Sequence, residues 1–418
     1  MNISFTRLAI TTAVLAAMTA TSAHAGGLER GGYNIDLLFD PSAYALEATT
    51  TYVNPQRDLK NARDTNPANG LGSNGLGGGS TSVRDTESYW VPRVGIKAAL
   101  GDSGIDCMAD YSQPFGADLN PGRNWIGAND NTKTKIETDN YAVTCSYKWA
   151  MGPGKIRVIA GGFYQEVEGY KERLVAPNFY GTGNGIGRLD LKDNGWGGRV
   201  GLAYEIPEYA FLTSLVYNSE VKFDDIEGTI DLTEVTVPGP LGPAVPITFG
   251  KYAVTGEASV PQSLEYKIQT GIAPDWLAFG SIKWTDWSVL QSVGFCPATA
   301  SPLTPCTSLD LLYRDGLTVT AGVGHKFNDQ WSGALSLTWD RGTSTVINTQ
   351  SDTWTLGTGV AYKPVENVEF RLAGAVGILT SGSSRSTTVN GVPFGDDVSY
   401  DYGNDVVTAV STSLKVRF

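Results

Sequence analysis

The last thirteen residues constrain the fold more than any other feature of the chain. Val406 to Phe418 reads V-V-T-A-V-S-T-S-L-K-V-R-F, and its two parities separate by chemistry. Val406, Thr408, Val410, Thr412, Leu414, Val416 and Phe418 form one face. Val407, Ala409, Ser411, Ser413, Lys415 and Arg417 form the other. An apolar face and a more polar face on a strand of about this length suit a transmembrane β-barrel, with lipid outside and a polar lumen inside. A soluble β-sandwich shows the same alternation, so the address of the chain has to decide.

That address is at the front. Arg7 supplies a positive region, Leu8 to Met18 a short apolar stretch, and Ala23-His24-Ala25 an A-x-A cleavage site. Residues 1–25 therefore read as a signal peptide, with Gly26 expected as the first mature residue. The apolar stretch is too short to span a bilayer as a helix, and no later segment reaches 18 apolar residues. Fifty glycines, 19 tyrosines and 10 tryptophans with 18% charged residues favour strands and turns. The terminal Phe418 after an alternating strand resembles the terminal signature of bacterial outer-membrane barrels. A formal charge of −12 makes phosphate-backbone binding a poor fit, so no nucleic acid is expected.

Short turns and long polar segments alternate along the chain. Turns fall near Gly101-Asp102, Met151 to Gly154, Ile206-Pro207-Glu208, Pro274-Asp275, Asn328-Asp329 and Pro364 to Asn367, each with residues that suit tight hairpins. Between them lie seven longer segments: 54–87, 113–137, 167–195, 224–259, 291–313, 342–351 and 381–403. Thirteen connections predict a 14-stranded antiparallel barrel with both termini on the periplasmic side. Trp331, Gly333, Leu335, Leu337 and Trp339 share one face, with aromatics at both ends as an interfacial girdle requires. Strand 1 is expected over about Ala43 to Val53 and strand 8 over about Pro261 to Ala273. The barrel is thus read as 43–418, preceded by a short N-terminal plug segment at 26–42.

Four cysteines in an exported chain allow three pairings, with four buried thiols as the alternative. Cys107 and Cys145 sit equally far from the loop centre near Ile126 and share one parity, so a cross-strand bond between opposed residues is feasible. Cys296 and Cys306 would close one outer loop. No His or carboxylate sits at ligand spacing around them, so no metal and no cofactor are expected.

Catalytic signals are lacking. His24 leaves with the signal, and His325 shares the outward parity of Leu317 to Phe327 without a G-x-S-x-G neighbour. The chain is therefore read as a non-enzyme. Gly70 to Gly79 and Gly181 to Gly187 lack phosphate-loop spacing and read as outer loops. Asn129-Asp130-Asn131 and Asp224-Asp225 read as solvated loops rather than cation sites.

Several stretches resemble the FadL-type family of outer-membrane hydrophobic-compound transporters, which includes long-chain fatty-acid and aromatic-hydrocarbon channels. The best is Val260-Pro261-Gln262-Ser263-Leu264 followed by Trp276 to Val289, with Trp284-Thr285-Asp286-Trp287-Ser288 at its centre. Tyr313-Arg314-Asp315 leading to Val323 and Asn328-Asp329-Gln330-Trp331 continue it. Tyr111-Ser112-Gln113-Pro114-Phe115-Gly116 resembles the P-F-G element after strand 3, and Asn34 to Ala43 the end of the plug. The departure is at the front, where Asn34 is followed by Ile35 rather than Pro and the plug is short.

The resemblance implies a fourteen-stranded barrel for passive uptake of hydrophobic small molecules, with long-chain fatty acids expected. The ligand is caught by apolar outer loops, enters the lumen above the plug and leaves sideways through the wall. Candidate loop contacts are Phe179, Tyr180, Leu241, Val245 and Phe249; candidate plug residues are Asn34, Leu37 and Phe39. A general or solute-selective porin and a surface adhesin are the competing readings. Expected partners are the hydrophobic substrate, outer-membrane lipid and lipopolysaccharide, and the barrel-assembly machinery, for a chain working as a monomer.

Overall fold

A computed structural model describes residues 26–66, 78–175, 185–239, 242–297 and 306–418. In these residues fourteen antiparallel strands close one barrel. They are β1 (Tyr44–Pro55), β2 (Tyr89–Ala99), β3 (Ile105–Ser112, resuming Gly116–Leu119), β4 (Lys133–Met151), β5 (Gly154–Val175), β6 (Gly185–Ile206) and β7 (Phe211–Asn218, resuming Val221–Asp231). Next come β8 (Lys251–Val260, resuming Ser263–Ala273), β9 (Trp276–Thr285, resuming Ser292–Pro297) and β10 (Thr307–Asp310, resuming Gly316–Lys326). The last four are β11 (Trp331–Arg341), β12 (Thr353–Val365), β13 (Val368–Leu379) and β14 (Asp405–Arg417). β1 pairs with β14 from Ala45↔Arg417 to Pro55↔Val407, so the barrel leaves no free edge. All six short turns fall where Gly, Pro, Asn and Asp predict them.

Alternation decides which side chains meet lipid. Leu335, Leu337, Leu372 and Val410 are exposed, whereas Ser336, Thr338, Ser411 and Lys415 on the opposite parity are buried inside. Aromatic pairs mark the short-turn rim, with Trp331 stacked on Tyr362 at 4.5 Å and Trp276 on His325 at 4.3 Å. His325 Nδ1 lies 3.1 Å from the Asp275 carbonyl oxygen. Cys107 faces Cys145 across β3 and β4, and the two are bonded with Cα atoms 4.0 Å apart. Cys296 and Cys306 form the second bond, joining the outer ends of β9 and β10.

Two long segments are shorter loops than the sequence suggests. β5 and β6 stay in register from Lys155↔Glu205 out to Val175↔Gly185, well into the expected loop 167–195. β7 and β8 likewise run far into 224–259. The outer ends of these strands carry Glu166, Glu168 and Lys192 on the lipid-side parity. Apolar alternation stops at the membrane boundary while the backbone ladder continues into the water.

Strands 7 to 10 all break in one register row: Asn218 faces Ser263, Ser263 faces Thr285, and Thr285 faces Gly316. Pro261 has no N–H for the ladder, which accounts for the break in β8. Beyond the row, a small sheet of 58–64, 83–84, 382–384 and 398–402 roofs the outer mouth. Its apolar underside buries Leu59, Trp125, Leu174 and Tyr400 together.

Candidate functional site: an apolar route inside the lumen

Residues 26–42 descend through the barrel from the outer mouth to the short-turn rim. At the top, the Gly27 amide donates to Thr343 Oγ1 at 2.9 Å. Halfway, the amides of Arg30, Gly31 and Gly32 converge on the Pro114 carbonyl oxygen at 2.9–3.4 Å, and the Gly116 amide donates to Leu28 O. These bonds lie where β3 is interrupted between Ser112 and Gly116. Gly31 rests against Val91, which a Cβ would approach to 3.0 Å, and the Arg30 guanidinium lies over the Tyr89 ring at 4.3 Å. The descending segment therefore covers a seam in the wall between β2 and β3.

Lower down, a short 3-10 turn (Asp36–Phe39) presents Leu37, Leu38 and Phe39 to Met108, Ile159, Ala203 and Val216 from the wall. Asn34 Oδ1 accepts the Asp36 amide at 2.7 Å and so starts the turn. Gly95 of β2 leaves the space that Leu37 occupies, since a Cβ there would lie 3.0 Å from Leu37 Cδ2. Each fully buried Leu or Phe contributes about 1.5–3 kcal/mol of apolar burial.

Carboxylates along the segment pair with wall cations: Glu29 with Lys283, Asp36 with Lys267 at 3.1 Å, and Asp40 with Arg417 at 2.9 Å and Lys415 at 3.5 Å. Buried pairs of this kind add little net stability, but removing one partner strands the other charge. They fix where the segment sits.

Above this segment a buried apolar cluster fills one side of the lumen, running from Phe295, Val254 and Leu189 to Phe163, Phe115 and Trp287. Tyr33 joins it from the segment, with its ring 4.9 Å from Phe163 and 5.7 Å from Phe115. Trp287 comes from the W-T-D-W-S stretch: Trp284 Nε1 donates to Asp315 at 3.0 Å, while the Trp287 ring packs edge-on to Phe115.

Two cavities open onto the outer end of this cluster. One of about 130 Å³ is mostly apolar, lined by Leu189, Leu191, Ile230, Phe295 and Leu309 among others. A larger one of about 350 Å³ lies under the roof and includes Asp85, Asp130 and Asp397. Lys171 and Arg173 of β5 line both. They face Asp130 at 3.6 Å and Asp397 at 3.8 Å respectively, and both retain access to water. Burial pushes the Asp85 carboxyl up to about 7, with Asp130 adding repulsion, and pushes Asp397 up to about 6.

Of the loop residues singled out from sequence, Phe179, Tyr180 and Leu241 lie outside the described residues. Val245 lies on the hairpin strand Gly242–Thr248, described by its backbone alone, and Phe249 is half-buried just beyond it. Leu37 and Phe39 come together at the base of the lumen, with Asn34 one turn above. Lys171, Arg173, Phe163 and Arg57 escaped the sequence reading. Extending the β5 alternation past Gln165 would have turned Lys171 and Arg173 inward. Arg57 carries no local signal, because its partners Gly403 O, Asp405 and Ser351 Oγ, at 3.0, 3.0 and 2.7 Å, come from distant loops.

Comparison with known proteins points the same way. Residues 37–369 match the family described as outer membrane protein transport protein (OMPP1/FadL/TodX). The long-chain fatty acid transport protein of Escherichia coli O6:H1 is 22% identical over 341 residues, covering 76% of this chain and 71% of that one. That of Salmonella typhi is 23% identical over 280 residues, covering 60% of each chain. Among solved structures, a FadL homologue from Pseudomonas aeruginosa superposes with a TM-score of 0.73 at 14% identity, covering 98% of both chains. The P. putida toluene transporter TodX gives 0.63 at 14% identity over 92% of each.

Proposed function

The chain belongs to the OMPP1/FadL/TodX family of outer membrane transport proteins, and we propose that it is a passive channel for amphipathic carboxylates such as long-chain fatty acids. In this reading residues 1–25 are a leader, 26–42 a plug carrying Asn34, Leu37 and Phe39, and 43–418 the barrel. It sits in the outer membrane as a monomer, among lipopolysaccharide. Phe179, Tyr180, Leu241, Val245 and Phe249 make first contact with substrate.

One observation carries the choice of substrate: two cations, Lys171 and Arg173, stand at the edge of a mostly apolar cavity, beside Arg188, whose guanidinium is held by Glu172 and Asp190. An alkyl chain lowers its free energy by leaving water for the apolar lining, while its carboxylate stays wet and paired with the cations. The apolar cluster beneath leads inward to Phe115, beside the seam that residues 28–32 cover. Displacing those residues would give a greasy solute a path sideways into lipid, with no energy source beyond the concentration gradient.

The test compares oleate with toluene in cells lacking the native gene. Lys171→Ala with Arg173→Ala should weaken oleate capture by roughly tenfold or more, the scale of a lost charge-assisted hydrogen bond, and leave toluene entry unchanged. Equal loss for both, or for neither, favours an aromatic-hydrocarbon channel. Free ion conductance with no binding of either compound favours a porin.

A further inference from the structure

The cavity of about 350 Å³ under the roof is lined by three cations, Arg57, Lys171 and Arg173, and each is already matched. Arg57 is held by Asp405 at 3.0 Å and also donates to Ser351 Oγ at 2.7 Å and to the Thr349, Thr380 and Gly403 carbonyls. Lys171 faces Asp130 at 3.6 Å, and Arg173 faces Asp397 at 3.8 Å. Glu29 and Asp118, also in the wall, are matched by Lys283 and Arg30. Asp85 is left over. It lines the cavity with only 6% of its surface exposed, and no N–H or O–H of the described residues donates to its carboxyl oxygens. Arg57 and Asp130 act on it through space alone. A buried carboxylate in that position is unfavourable until a cation joins it.

The rest of the wall says which kind of cation fits. A metal ion wants several oxygen ligands together, and among the described residues no three acids, histidines or cysteines are placed to hold one. An organic ammonium needs one carboxylate and gains further from aromatic rings nearby. Trp125 and Tyr400 both line the cavity, with ring centroids 6.4 Å apart. Burial, with Asp85 and Asp130 adding repulsion, keeps the Tyr400 hydroxyl in its neutral form. Leu59, Ile347 and Val398 complete an apolar lining for the body of such a molecule.

We propose that the roof cavity is a second binding site, for a primary ammonium group on a small apolar body, with Asp85 as its counterion and Trp125 and Tyr400 beside it. Lys171 and Arg173 separate it from the apolar cavity where a carboxylate would bind, and the two sites do not depend on each other. Leu28 and Glu29 also line the roof cavity, so the amine would sit against the strap of residues 28–32 that covers the β2–β3 seam.

The experiment titrates the purified barrel with hexylamine and with hexan-1-ol, its neutral match, by calorimetry. At pH 8 hexylamine should bind at least about tenfold more tightly than the alcohol, the scale of a charge-assisted hydrogen bond. At pH 5 that preference should be lost. Burial, and after it Asp130, raises the Asp85 carboxyl to about 7, so its charge is present at pH 8 and absent at pH 5, while an alkylamine stays protonated at both. Asp85→Asn should reduce hexylamine to the level of hexan-1-ol at both pH values, with the heat-shifted gel mobility of the barrel intact. If that variant fails to assemble, the wild-type pH profile decides. Lys171→Ala with Arg173→Ala should leave hexylamine binding at least as tight, because it frees Asp130 and Asp397, even as oleate capture falls; the two sites thus fail separately. Hexylamine that binds no better than hexan-1-ol at pH 8, that binds equally at pH 5, or that is unaffected by Asp85→Asn overturns the proposal.

Discussion

Single side chains in this barrel are governed by which solvent they face. Leu337 lies on the lipid side of β11 with 48% of its surface exposed, while its neighbour Thr338 is buried in the lumen. Leu337→Arg should therefore cost about 2–4 kcal/mol if it lies at mid-bilayer depth, measured as a lower urea midpoint in vesicles, whereas Thr338→Ser should leave the midpoint unchanged. Asp85 illustrates the other case, a carboxyl under the outer roof. Its proton is held more tightly folded than unfolded, up to about 7, chiefly because of burial. The roof packing it supports is then fully present below the ordinary aspartate range, near pH 4, and weakens as pH rises through about 7. Hydrogen exchange of residues 57–65 and 83–87, corrected for intrinsic rates, should be slower at pH 5 than at pH 8. Asp85→Asn should flatten that dependence; an unchanged slope would remove Asp85 as its cause.

Elements were legible in the sequence to the extent that lipid imprints a period on them. β11 to β14 read cleanly because one parity must be apolar, and the tight turns read from Gly, Pro, Asn and Asp. The outer ends of β5 to β8 did not read, because there the outward face meets water and carries Glu166, Glu168 and Lys192, so the lipid-imposed period is lost while the backbone ladder continues. The cysteines fared well for a related reason: Cys107 and Cys145 were placed by counting along regular strands, which fixes register. The Cys296–Cys306 bond has a more local consequence, since Pro297, Cys306 and Leu309 line the apolar cavity. Replacing both cysteines with Ser should weaken oleate binding. The barrel should keep its heat-shifted mobility on gels, because β9 and β10 remain paired through Trp276↔His325 to Thr285↔Gly316.

At the scale of the whole molecule, the route inward and the seal on the wall belong to different parts of the sequence, which is why the site could not be assembled from motifs. Phe115 comes from the break in β3, Trp287 from the break in β9, and Tyr33 from the segment before β1, yet the three rings meet. If solute leaves sideways, the strap must move away from the seam, and tying it down should stop transport without closing anything else. Gly31 and Val91 offer the place. A Cβ on Gly31 would lie 3.0 Å from Val91 Cγ1, and Gly31 is not among the glycines with positive φ, so a Cys there is not strained by backbone angle. Gly31→Cys with Val91→Cys should form a bond, since the two Cβ atoms fall within disulfide reach. The oxidised double variant should import oleate far more slowly than either single variant. Mild reduction should restore it, with wild type under the same reductant controlling for the two native disulfides. Binding of oleate to purified protein should persist in the oxidised form, because Lys171 and Arg173 lie above the lock. Import by the oxidised double variant at the wild-type rate would show that the β2–β3 seam is not the exit.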